Sequence, residues 1–243
     1  MRALFAFAVL LMMAPSAIAR PRLVVVTATA GFRHESIETA EPIVAMIAAE
    51  RGIDVVFVRT VDEPMPELTS NDVVMFVSTT GELPNERGVV EWVRNGGTFV
   101  GVHSASDTFH EFGEYLEMLG AEFDHHPAET NAEVVVDDAS HRATSSLPSS
   151  HVMFEEYYVL RRFDPTGVHM LLSLRADPAD ASRVAYFPLA WEKPFGRGRV
   201  LYTALGHRED VWLSEWFRAH IAGVVDWAVT PPARSPRRRA AGK

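Results

Sequence analysis

Cysteine is absent from all 243 residues. No thiolate can therefore act as a nucleophile or metal ligand, which excludes Cys-dependent glutamine hydrolysis, Cys-ligated zinc and disulfide bracing. The fold must be held by its core, which a domain of this size can supply. Cations are scarce outside the chain's end. Setting aside Arg2 and the five cations of 231–243 leaves 17 against 32 acids, so residues 20–230 sit near −15. An acidic body disfavours nucleic acid and anionic membranes as partners. No apolar run reaches the roughly 20 residues of a spanning helix. The run at 3–13 follows Met1-Arg2 and precedes Ala17-Ile18-Ala19, the pattern of a secretory signal cleaved after Ala19. The expected location is periplasmic or secreted, with no stable membrane insertion after cleavage. The basic tail at 231–243 is expected to be a solvated, disordered end. No internal repeat and no linker interrupts 22–230, so one domain is expected there.

Within it, Leu23-Val24-Val25-Val26 is a β-branched run that fits a strand buried on both faces. Ser36 is the expected N-cap of a helix in which Ile37, Ala40, Ile43, Val44, Ile47 and Ala48 recur at helical spacing up to Gly52. Further strands are expected at 53–58, 72–78 and 98–102, with a helix around Val89–Val93 stopped by Asn95-Gly96-Gly97. Alternating strands and helices with short links predict a mainly parallel sheet covered by helices on both faces. Helices are expected at about 109–120 and 214–229. Runs at 132–137, 168–174, 184–187 and 199–205 read as strands, some of them antiparallel.

Strand 98–102 ends in His103-Ser104-Ala105-Ser106-Asp107-Thr108-Phe109-His110. Protonatable groups thus crowd the carboxyl end of a buried strand, the edge where open α/β sheets bind ligands. The strand ending near Leu205 is likewise followed by Gly206-His207. Together with Gly31-Phe32-Arg33-His34, Phe154-Glu155-Glu156-Tyr157-Tyr158, Pro188-Leu189-Ala190-Trp191 and Gly196-Arg197-Gly198-Arg199-Val200, these motifs span 22–229. In order and spacing they resemble the trehalose-utilisation (ThuA-like) family. The resemblance implies a flavodoxin-like α/β fold related to class I glutamine amidotransferases, with a more irregular antiparallel excursion in the second half. It also implies an association with sugar catabolism.

In amidotransferases of that fold, a Cys occupies the tight turn where this chain places His103. An imidazole there could act as general base or metal ligand. His207 is expected at the same edge. His34, just ahead of a helix start, is placed for polar substrate groups. If 155–158 is extended, only one acid of Glu155-Glu156 can face the site, and the family's Asp-Glu-x-Tyr pattern favours Glu156 and Tyr158. His103, His207 and Glu156 are therefore the expected catalytic set. His34, Arg33, Ser104, Asp107, Phe109 and Tyr158 are the expected substrate contacts. Asp107 remains open between that role and a helix cap, while His125-His126-Pro127 resembles the family's His-Pro motif. If a metal such as zinc is bound, His103 and His207 would hold it, though no i, i+4 His pair marks a ligand helix. Trp191 and Trp212 are open between sugar platform and core. Two functions follow: an enzyme acting on a carbohydrate or keto-sugar (hydrolase, lyase or isomerase), or a non-catalytic sugar-binding or assembly module. In both, the partner is a small carbohydrate.

Overall fold

Val24, Val25 and Val26 have no exposed surface, as an unbroken β-branched run covered on both faces requires. They belong to β1 (Arg22–Val26) in a computed structural model that describes residues 20–84 and 87–231. The expected signal at 1–19 and nearly all of the expected basic tail lie outside the described residues. The chain continues through α1 (Ile37–Glu50), β2 (Asp54–Val58), β3 (Asp72–Val77), α2 (Gly88–Arg94) and β4 (Thr98–Val102). A short 3₁₀ turn at His103–Asp107 precedes α3 (Gly113–Leu119), β5 (Glu122–His125), β6 (Thr130–Val136), β7 (Ser150–Glu155) and β8 (Val159–Arg161). Then come β9 (His169–Asp177), β10 (Asp180–Phe195), β11 (Gly198–Thr203), α4 (Glu209–Leu213) and α5 (Glu215–Val229).

Nine strands form one sheet in the order β2-β1-β3-β4-β11-β10-β9-β6-β7, and β5 pairs with β8 apart from it. The first five strands in that order are parallel, and β11 joins them to an antiparallel half through β10. This is the expected mainly parallel sheet with its antiparallel excursion. From β1 the chain crosses one way to β2, and from β3 the other way to β4. Right-handed crossovers therefore put α1 and α2 on opposite faces. Consistently, α1 packs with α4 and α5, while α2 packs with α3.

Some boundaries differ from expectation. The helix expected at 109–120 starts only at Gly113, because the 3₁₀ turn and a left-handed Phe109 (φ 58°) take up the preceding residues. The strand expected at 184–187 is part of a 16-residue ribbon. Ser36 precedes α1, but its hydroxyl donates to the Gly206 carbonyl at 3.2 Å and caps nothing.

Where β11 begins, backbones meet without room for a side chain. A Cβ on Gly198 would lie 2.0 Å from the Val93 carbonyl oxygen and 2.4 Å from that of Gly97. Gly198→Ala is thus expected to destabilise the fold by about 2–3 kcal/mol, since rigid backbone cannot yield as a side chain does. A urea midpoint matching the parent would refute this.

Candidate functional site

Four separate loops carry polar side chains to the carboxyl edge of the parallel strands. His34 comes from the β1–α1 loop, His103 directly follows β4, His207 follows β11, and Glu156 directly follows β7. His103 has φ 52°, a left-handed conformation held at a cost of about 1–3 kcal/mol in a non-glycine residue. It ends the strand and opens the 3₁₀ turn, and its carbonyl accepts from the Tyr202 hydroxyl at 2.8 Å. His207 is placed by Gly206, whose φ of 115° suits glycine alone. The Gly206 carbonyl is fixed by the Trp212 indole at 2.9 Å.

The side chains meet around His103 Nε2. It lies 3.1 Å from His34 Nε2, 3.3 Å from His207 Nδ1, 3.0 Å from the Tyr158 hydroxyl and 3.8 Å from Glu156 Oε1. Glu156 Oε1 is 3.3 Å from His207 Nδ1, and its Oε2 is 3.1 Å from His126 Nδ1. The outward-facing nitrogens have partners too: His103 Nδ1 with the Ala204 carbonyl at 3.0 Å, His207 Nε2 with Glu129 at 3.4 Å, and His34 Nδ1 with Ser104 Oγ at 3.4 Å. Burial disfavours charge at His34, His103, His207 and Glu156. It pulls His34 down to about 4, helped by His207 and His126. Burial also holds His103 well below the usual imidazole range, lowers His207 and raises Glu156. At neutral pH the imidazoles of His34, His103 and His207 are neutral, with nitrogen lone pairs available to a proton or a cation.

A cavity of about 560 Å³ opens above the cluster, walled by Phe32, Arg33, His34, Glu129, His207 and Arg208. His103 does not reach it directly, because it has no exposed surface. His207 (23% exposed) and His126 (45%) form the accessible end of the group.

Expected site residues fall into two groups. His34, His103, His207, Glu156, Tyr158 and Ser104 converge, with Ser104 acting from behind His34. Arg33 lines the cavity while binding the Thr27 carbonyl and Glu38. Asp107 and Phe109 do not belong. Asp107 pairs with His110 at 2.8 Å, and His110 in turn reaches Glu122, so the acid neither caps a helix nor lines the cavity. Phe109 is fully buried against Phe112 and Tyr115. Trp191 and Trp212 are also fully buried, so neither is a sugar platform. An exposed aromatic does stand at the mouth: Phe32, 67% exposed and edge-on to His34 at 4.9 Å. The sequence reading assigned no role to Phe32, Glu129 or Glu155. His126 had only its His-Pro motif as a signal.

A second cluster lies at the opposite, amino edge of the strands, around a larger cavity of about 910 Å³ that includes Thr98, Gly198 and Arg199. Glu192 there accepts from the Trp227 indole at 2.6 Å and faces His169 Nδ1 at 3.1 Å and His141 Nε2 at 3.5 Å. The His141 contact, then that of His169, holds its carboxyl down at about 2 against the opposing effect of burial. A depressed carboxyl stabilises the fold above its unfolded pKa, and that gain is lost as pH falls from about 4.5 toward 2. Between pH 7 and 3, the parent should therefore lose about 1–3 kcal/mol more stability than Glu192→Gln. Equal losses in urea titrations would remove Glu192 from the acid response.

The family model described as trehalose utilisation (ThuA) matches residues 22–228. A ThuA-like protein from Bacteroides uniformis ATCC 8492 has a TM-score of 0.69 at 21% identity, covering 89% of this chain and 95% of that one. Another, from Parabacteroides merdae ATCC 43184, has a TM-score of 0.69 at 16% identity, covering 90% and 93%. A β-galactosidase from Bacillus circulans sp. alkalophilus matches with a TM-score of 0.57 at 15% identity, over 85% of this chain but 31% of that one. Among curated proteins none matches. The architecture is that of the class I glutamine amidotransferase-like fold.

Proposed function

The chain belongs to the ThuA, trehalose-utilisation, family, and from that premise we propose an exported enzyme acting on a carbohydrate or its keto derivative. The reaction is a hydrolysis, lyase or isomerase step, carried by acid/base or electrophilic chemistry at the His103–His207–Glu156 cluster. One observation carries the reading: His34, His103, His207 and Glu156 arrive from four loops within 3.1–3.8 Å of a partner in the cluster, beneath an open cavity. Neutral imidazoles beside a carboxylate are suited to moving protons between sugar hydroxyls near pH 7. Arg33 and Phe32 on the walls suit a polyhydroxylated ligand, one by hydrogen bonding and the other by packing on a sugar face. With no cysteine in the chain, a thiolate amidotransferase is excluded.

A second reading, a sugar-binding module without turnover, is favoured by the complete burial of His103. Product analysis separates the two. The full chain is incubated with disaccharides and their keto derivatives, alongside calorimetry. Conversion is expected, and His207→Ala should lower it by about 10²-fold or more, the usual worth of an acid–base group. Binding without conversion would return the module, and neither binding nor conversion would overturn both readings.

A further inference from the structure

Hydrogen bonding does not account for the centre of the cluster. His103 Nδ1 faces the Ala204 carbonyl, which can only accept, so the ring proton sits there. His103 Nε2 is left with a single lone pair. Three groups crowd it: the Tyr158 hydroxyl at 3.0 Å, His34 Nε2 at 3.1 Å and His207 Nδ1 at 3.3 Å. One lone pair serves one donor well, so Tyr158 and His34 cannot both be satisfied there, whereas His207 Nδ1 also has Glu156 Oε1 at 3.3 Å. Their spacing has a different meaning. Metal–nitrogen bonds of about 2.0–2.1 Å in a tetrahedron put neighbouring ligand atoms about 3.3–3.4 Å apart. Of the six edges, three match, at 3.1 Å (His34–His103), 3.3 Å (His103–His207) and 3.3 Å (His207–Glu156); His103–Glu156 is longer at 3.8 Å, and one donor atom from each of the four residues lies within 4.8 Å of all the others.

The outer contacts agree. A metal-bound imidazole usually gives its second nitrogen to a carbonyl, carboxylate or other acceptor, which fixes ring and tautomer. All three rings have such a partner, in Ala204, Glu129 and Ser104 respectively for His103, His207 and His34.

We propose that His34, His103, His207 and Glu156 bind one divalent first-row transition ion, with zinc the best match to the tetrahedral spacing. Three imidazoles with one carboxylate suit zinc, cobalt or nickel and disfavour magnesium and calcium, which take oxygen. The three rings are the firm corners. Glu156 is the loosest, 3.8 Å from His103 and held outward by His126 at 3.1 Å. Its corner is the one a sugar hydroxyl or keto oxygen entering from the cavity would take. That last role rests on the turnover reading above, whereas ion binding does not.

The test uses the full chain without a polyhistidine tag, stripped with chelator and reloaded with zinc or cobalt(II). One ion per chain is expected by elemental analysis, with a higher melting temperature from binding to the folded state and the visible absorption of tetrahedral cobalt. His34→Ala and His207→Ala should each abolish stoichiometric binding, with circular dichroism confirming the fold. His207, partly exposed, is the variant that decides should His34→Ala fail to fold. Glu129→Ala should weaken binding by about 10–100-fold, whereas His125→Ala, at a surface ring, should leave it intact. Failure of the parent to take up an ion would overturn the site, as would stoichiometric binding that survives in His207→Ala. Sugar conversion is read separately. Ion binding without conversion upholds the metal site and overturns only the turnover reading.

Discussion

His103→Ala is expected to lower sugar conversion by about 10²–10⁴-fold in kcat/KM while the chain remains folded. His103 Nε2 lies 3.0–3.8 Å from His34, His207, Tyr158 and Glu156. No other side chain can take its place, because it alone stands at the turn after β4 with φ 52°. The role survives its burial. Whether the reactive species is a proton or a metal-polarised oxygen, the ring works through its neighbours and not by touching sugar. Stability should fall as well, by about 1–3 kcal/mol. The substitution leaves the Ala204 carbonyl and the Tyr158 hydroxyl without their partner, while the strained φ is common to both proteins and cancels. The two effects separate experimentally: urea unfolding reports the second, and steady-state kinetics on folded protein report the first. Unchanged kcat/KM with a converted sugar would take His103 out of the reaction.

The parallel half of the fold is legible in sequence because its inner strands β1, β3 and β4 are buried on both faces and therefore nearly free of polar residues. In β3, Asp72 is the sole charge, and it is matched by Arg22 at 2.7 Å. The antiparallel half hides itself. β10 carries Pro188 and Pro194 and changes register several times, so no clean alternation runs along it. β5 is mostly polar, Glu122-Phe123-Asp124-His125, and Glu122 is neutralised by Arg161 of β8 and by Arg162 just beyond it. That pairing is a long-range fact that no local pattern encodes.

The site divides in the same way. His103 and His207 were readable because each follows a strand aimed at one edge. Asp107 and Phe109 share the His103 motif, yet Asp107 turns to His110 and Phe109 packs into the core against Phe112 and Tyr115, both away from the cavity. Phe32, His126 and Glu129 sit in irregular loops, where spacing gives no direction. The complete burial of His103 follows from packing by Tyr158, His34 and His207 (ring centroids 4.3, 4.7 and 5.2 Å), brought in from distant segments.

Glu155→Gln is expected to reduce conversion by about 10–100-fold, the usual effect of removing support behind a reactive group. Glu155 has no exposed surface and touches no ligand space. Its Oε1 accepts the backbone N–H of Glu156 at 2.8 Å, and its Oε2 accepts that of Gly206 at 3.0 Å. One carboxylate therefore fixes two cluster loops at once, the one carrying Glu156 and the one carrying His207. Burial pushes its pKa up to about 7 against the pull of those N–H donors, so holding the charge there is itself costly. A glutamine keeps one accepting oxygen but turns an NH₂ toward the other N–H, setting donor against donor. Alanine leaves both N–H groups bare, for about 1–3 kcal/mol each, and serves as the stability comparison. A purely structural Glu155 would make glutamine less stable with kcat intact. A positioning Glu155 lowers kcat in protein that is still folded, because His207 and Glu156 no longer share one fixed geometry. Kinetics on Glu155→Gln well below its melting temperature distinguish the two, and an unaltered kcat would reduce the residue to a support of the fold.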